Sequence, residues 1–315
     1  MTSRERIMAV IDGTRPDHTP LTTWCFGLPA PPELRWETDG QAVDYWYSMR
    51  MEHLHTISTP WTLRDDFRRV QAWQSLGIDD VLDVSVPWSA VPEVSFTDSV
   101  VPAGESDAYA IMVREYTTPS GLLRHAVRRT DPEPPGWPVQ PDCVPLIEDF
   151  NIPRAVEHAV SSPADVRPVA HLFAPPDAEA QRWFSDRMRA VGPWAREHGV
   201  PVQAWAVFGM DGVVWLTGTE GAIMMALDEP EAFGRLVDTI AATDYARAEL
   251  ALSSPDVDIV AQRGWYSSTD FWSPKLFDRY VFGHLRELAE LVHRHRRRLA
   301  YVMTTGVRTL GPRLA

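Results

Sequence analysis

The chain has 315 residues, 44% of them hydrophobic, with 30 basic against 43 acidic side chains and a formal charge of −13. That much apolar material fills a large core and excludes a disordered chain. The acidic balance argues against a nucleic-acid or anionic-membrane partner, whose electrostatic footprint is basic.

In chain order, "TSRERIMAVIDG" reads as a short helix ended by Gly13, and "RPDHTP" as a turn. "LTTWCF" is a candidate strand and "GQAVDYWYSMRMEHLHTI" has helical spacing. "DDVLDVSV" is a second strand candidate. "AIMVREYTTPSGLLRHAVRRT" reads as a hairpin, two alternating runs around Thr-Pro-Ser-Gly. The proline-dense "DPEPPGWPVQPDCVP" closes what reads as a hairpin insertion at about 93–140.

The pattern then becomes regular. "VRPVAHLF" is expected to be a strand, "DAEAQRWFSDRMRAVGPWAREHG" a helix, and "VPVQAWAVFG" a strand. Helices follow in "EGAIMMALDEPEAFGRLVDTIAATDYARAELALSS", then the strand "VDIVAQRG". Ser273 with Pro274 after it predicts an N-cap and first helical residue. Phe277, Val281, Leu285, Leu288 and Val292 form one apolar face of that helix. The basic run His293–Arg298 ends it, where cations suit the helix dipole. "LAYVMTT" is a further strand.

Short apolar strands alternating with amphipathic helices predict a parallel α/β sheet, and the length favours a single (β/α)8 TIM barrel over 1–315. No glycine-rich phosphate fingerprint follows a strand, which counts against a dinucleotide fold. About six strand–helix units can be read where a barrel needs eight. Either the strand count is short, or C-terminal units of the barrel are missing from this chain or supplied by a partner.

Two cysteines, Cys25 and Cys143, make no disulfide framework. With no signal-peptide core and no apolar run of spanning length, a soluble cytoplasmic protein is expected. Lys275 is the single lysine and falls in the first turn of a helix, a poor place for a Schiff base.

"SRERIMAVIDGTRPDHTPL", "WLTGTEGAIMMALDEPEAFGRLVDTI" and "GWYSSTDFWSPKLFDRYVFGHLRELAELVHRH", in this order, resemble the uroporphyrinogen decarboxylase superfamily, which includes cobalamin-dependent methyltransferases. The resemblance covers most of the chain and implies a TIM barrel with its site at the C-terminal ends of the strands. It departs from the family in three respects, one being that "AQRGWY" places Gln262 and Arg263 where the family has an acidic pair. The arginine motif that grips substrate carboxylates reads "TTWCFGLPAPP" here. The zinc-binding His-x-Cys-Gly reads Met303-Thr304-Thr305-Gly306, so zinc is not expected.

A barrel of this type would direct strand-end groups into the site. His171, Asp80 (with Asp79 and Asp83 nearby) and Arg263 are expected to carry the chemistry, as acid, base, polarising carboxylate or anion clamp. Cys25, Asp211, Trp265, Tyr266, Asp270 and Thr305 are expected to line the substrate pocket. Each also has a structural reading: buried thiol, turn residue, satisfied histidine or rim packing. The resemblance implies methyl transfer or demethylation of a small molecule, with a corrinoid on a separate partner protein. A decarboxylase of a small or tetrapyrrole acid, or a non-catalytic ligand-binding barrel, are the alternatives. A homodimer is left open.

Overall fold

The computed structural model describes residues 1–22, 32–38, 41–44, 62–105, 107–129, 144, 146–147, 154–303 and 305–314. Helix α1 (Ser3–Ile11) opens on a capping box, in which Thr2 and Glu5 satisfy each other's backbone N–H groups. A short antiparallel pair follows, β1 (Arg35–Thr38) and β2 (Gln41–Asp44). Helix α2 (Leu63–Ser75) leads to β3 (Leu82–Ser85).

Four strands form a parallel sheet in the order β10 (Arg298–Val302), β9 (Ile259–Arg263), β8 (Val202–Val207), β3. Their side chains alternate with period two. Leu82, Val84, Val202, Ala204, Ala206 and Val260 face one way, packing with Val70 of α2, with Phe184 and Val191 of α4 (Ala178–His198), and with Leu288 and Val292 of α9 (Gly283–Arg294). Full burial of each large aliphatic stabilises by about 1.5–3 kcal/mol. The residues between them cover the opposite face, where Trp205 and Ala261 pack with Trp265, Ala300 and Val302.

Between β3 and β8 lies an antiparallel sheet, β4 (Ser95–Val101), β5 (Ile111–Thr118), β6 (Gly121–Arg128) and β7 (Ala155–Glu157). The predicted hairpin is its centre, β5 paired with β6 from Ile111↔Arg128 to Thr118↔Gly121. Tyr116 and Leu123 join a core with Trp88, Phe208, Trp215, Phe233 and Trp272. That core holds the inserted sheet against α5 (Gly209–Thr217), α6 (Thr219–Asp228) and α7 (Pro230–Leu252). A four-residue helix, α8 (Pro274–Phe277), runs through a π turn at Asp278–Phe282 into α9. Ser273 caps α8, its hydroxyl accepting from the Leu276 N–H. The final helix, α10 (Val307–Leu314), follows β10.

Two expected elements differ. "VRPVAHLF" is not a strand: Val166–Ala170 forms helix α3, and extended pairing begins only at the Ser89–Ala174 bridge. Pro163 and Asp165 start a helical turn, capped at Ser162, that continues into Val166–Ala170. Gln41–Asp44 is a strand where a helix was expected, because it pairs with Arg35–Thr38; the rest of that expected helix, and "TWCF", lie outside the described residues. Among the described residues no helix is long and apolar enough to cross a membrane.

Candidate functional site at the C-terminal strand ends

The C-terminal ends of β8, β9 and β10 meet at a loop, Gly264–Ser273, held by several hydrogen bonds. Asp211, in the first turn of α5, is fully buried, and its carboxylate accepts from the backbone N–H groups of Trp265 (3.1 Å) and Tyr266 (2.9 Å). Ser268 pairs with Thr305 across the hydroxyls at 2.8 Å, and Ser267 bonds the Tyr301 hydroxyl. The Trp272 indole donates to the Tyr266 carbonyl at 2.6 Å, and the Tyr266 and Phe271 rings meet edge to face. The aromatic loop is therefore the fixed wall of the strand ends, with Trp265, Tyr266 and Phe271 each half-buried.

Arg263 ends β9, 4% exposed, with its guanidinium carbon 5.5, 5.1 and 5.1 Å from the ring centres of Trp205, Trp215 and Trp265. Beneath it, Trp205 is oriented by Asp83 of β3. The Asp83 Oδ1 accepts from the Trp205 indole N–H (2.8 Å) and from the Gln203 amide (3.0 Å). Burial pushes the Asp83 carboxyl up to about 7, against the opposing pull of Arg69. A raised carboxyl favours the protonated fold, so this contribution is complete below the ordinary value of 3.8 and is lost as pH rises through about 7. Asp83→Asn keeps the accepting oxygen and removes the charge. Thermal unfolding should show it more stable than the wild type at pH 8, by at most about 4 kcal/mol, with the gap shrinking as pH falls and closing only near pH 4.

Helix α7 supplies a buried staple. Arg247 donates to the carbonyls of Val86 (2.9 Å) and Trp205 (3.1 Å) and to Asp244 (3.3 Å), and its guanidinium lies 3.8 Å over the Phe208 ring. Asp244 in turn accepts from the N–H groups of Phe208 (3.0 Å) and Gly209 (2.8 Å). Burial lifts the Asp244 carboxyl to about 6 and lowers Arg247 to about 10. Gly209 turns the chain at φ 57°, and an added Cβ would come 2.6 Å from the Gln262 amide nitrogen. Gly209→Ala should lose about 2 kcal/mol by chemical denaturation, from left-handed strain and that collision together.

The expected site residues divide. Asp211, Arg263, Trp265, Tyr266 and Thr305 come together, though Asp211 and Thr305 act by holding the loop. Asp270 is on the same loop, exposed, its N–H donating to the Ser268 hydroxyl at 3.3 Å. Asp80 is not among them. It precedes β3, at the opposite end of the sheet, and forms a buried ion pair with Arg69 of α2, as Asp79 does with Arg6 of α1. His171 caps α3 and faces the inserted hairpin, its Nε2 2.8 Å from the Ser120 hydroxyl rather than at the Gly264–Ser273 loop. Cys25 lies outside the described residues. Among the described residues no cluster of three His, Cys, Asp or Glu side chains could hold a metal ion.

Sequence reasoning did not single out Arg247, Asp244, Trp205 or Trp215. An Asp and an Arg three apart on the inner stripe of an apolar helix, as in "ATDYAR", were the available signal for the staple.

No family model matches the sequence, and no curated protein matches it. Among solved structures, a methyltransferase from Methanosarcina mazei is similar over 98% of this chain and 72% of its own, at 13% identity and a TM-score of 0.46. No family follows from that. A superposition so loose assigns neither a reaction nor a substrate.

Proposed function

We propose that the chain is an enzyme built on the (β/α)8 plan of the uroporphyrinogen decarboxylase superfamily, with β3, β8, β9 and β10 as adjacent barrel strands, and that it moves a methyl group between a small molecule and a corrinoid carried by a partner protein. The observation that supports this best is the Asp211 bond to Trp265 and Tyr266. It joins the turn before one family-like segment to the start of the other, at the C-terminal ends of neighbouring parallel strands, where barrel enzymes place their chemistry.

The groups present suit such a partner. A corrin presents a broad, largely apolar face, and the half-buried Trp265, Tyr266 and Phe271 offer flat surface to its edge. When bound, its cobalt would supply the methyl-accepting centre. Within this chain, Arg263 would hold the methyl donor, and the three indoles would fix its plane and exclude water. Zinc activation of a thiol is not part of the proposal.

Incubation with cob(I)alamin and a panel of methoxylated and methylated compounds tests it. Loss of the cob(I)alamin absorption with one of them is the expected result, and an unchanged spectrum across the panel argues against methyl transfer. Release of carbon dioxide from an acid in the same panel would move the assignment to the decarboxylase reading, which the pair of buried guanidinium groups, Arg247 and Arg263, also suits.

A further inference from the structure

The inserted antiparallel sheet has two edges, and they are built differently. β7 is three residues long and its pairing with β6 shifts register, two common ways of blunting an edge. β4 uses neither. It pairs with β5 without a bulge, from Ser95↔Thr117 to Val101↔Ile111, and its sequence, SFTDSVV, holds no proline, glycine or lysine. All seven of its residues are exposed, and among the described residues no strand pairs with its outer edge.

On one face that exposure interrupts a buried surface. Met112, Arg114 and Tyr116 of β5 are buried, and the residues opposite them in the ladder are Val100, Asp98 and Phe96. Phe96 is 49% and Val100 57% exposed, so they form an apolar ledge beside a covered row. The one charge of the strand is already answered. Arg114 donates to both Asp98 oxygens at 2.7 Å and lies 4.0 Å from the centre of the Phe96 ring.

The strand is also its own complement. A second copy laid antiparallel about Asp98 sets Phe96 opposite Val100 and Thr97 opposite Ser99, each pairing occurring twice. Aromatic–branched and hydroxyl pairs of this kind stabilise antiparallel ladders. The apolar row then runs Tyr116, Phe96, Val100, Met112 across the junction, the last two from the second copy. The central row reads Arg114, Asp98, Asp98, Arg114, so each carboxylate arrives with its own cation and the row carries no net charge. Short, bulged β7 offers no equivalent edge, so the association closes at two copies.

We propose that β4 is a homodimer interface, at which two copies of this chain join their inserted sheets into one continuous antiparallel sheet centred on Asp98.

The register of that junction supplies the test. Ser95→Cys and Val101→Cys, purified separately and mixed under mild oxidation, should form a disulfide between the two variants, because the pairing sets those Cα atoms about 5 Å apart. Neither variant should cross-link to itself through its new thiol, since like positions lie roughly 20 Å apart along the ladder. The wild type, which carries Cys25 and Cys143, is the control. Sedimentation at physiological ionic strength, where distant charges are screened, should show a monomer–dimer equilibrium. Val100→Glu, which sets new carboxylates beside Asp98 of both copies, should raise the dissociation constant about tenfold or more. A wild type that stays monomeric at every concentration, or that forms species larger than a dimer, would overturn the proposal. So would a dimer indifferent to Val100→Glu, or self-linking of either cysteine variant as readily as linking between them. Should Val100→Glu fail to fold, the disulfide pattern decides.

Discussion

Arg247→Met should be the most damaging single substitution in the protein, lowering its stability by about 3–5 kcal/mol. The guanidinium bridges the carbonyl ends of β3 and β8, and it is the charge facing Asp244. Methionine fills much of the volume and none of the bonding. Two carbonyls lose a donor, and a buried carboxylate loses its counterion. For a chain of this size the melting temperature should fall by roughly 5–8 °C. Adding Asp244→Asn should recover about 1–2 kcal/mol, because asparagine still accepts from Phe208 or Gly209 without leaving a charge stranded. Thermal scans of both variants check this; additive losses in the double variant would show that the two residues do not act as a pair.

Asp211→Ala comes second. Its carboxylate answers two backbone N–H groups in a fully buried place, and alanine leaves both unanswered, a loss of about 2–4 kcal/mol. Asp211→Asn retains one accepting oxygen and should lose about half as much. The damage should be local before it is global. Trp265 and Tyr266 should become accessible to acrylamide quenching at temperatures where the far-ultraviolet spectrum is still native. A variant that unfolds in one step, with no earlier loosening of the loop, would place Asp211 in the general core.

The contrast between Asp211 and Asp80 explains which parts of the site could be read from the sequence. Both are aspartates beside apolar strands. Asp211 follows its strand, and Asp80 precedes one, so parallel geometry sends them to opposite ends of the sheet. The hydrophobic runs of β3, β8 and β9 were legible because burial on both faces imposes them, and these strands, β10 and helices α4, α7 and α9 lie where periodicity put them, whereas α2, with a mostly polar sequence, was not anticipated. The Ser273-Pro274 helix start and the glycine at the end of α4 were legible because local chemistry fixes them. His171 was misplaced because a short apolar segment such as "VRPVAHLF" fits a strand or a helix equally well, and the capped turn at Ser162–Asp165 decides for helix. Trp205 and Trp215 were invisible as site residues: tryptophan is frequent here, and only the pairing of β8 with β9 and the packing of α5 show which indoles surround Arg263. The tuning of Asp83 likewise depends on burial that no spacing encodes.

All of this requires that the aromatic loop be locked to Asp211 at the strand ends. Amide hydrogen exchange at Trp265 and Tyr266 reads that contact residue by residue. The two amides should exchange as slowly as those of β9 in the wild type and faster by roughly 100-fold or more in Asp211→Ala. Fast exchange in the wild type, or equal rates in both proteins, would contradict the account.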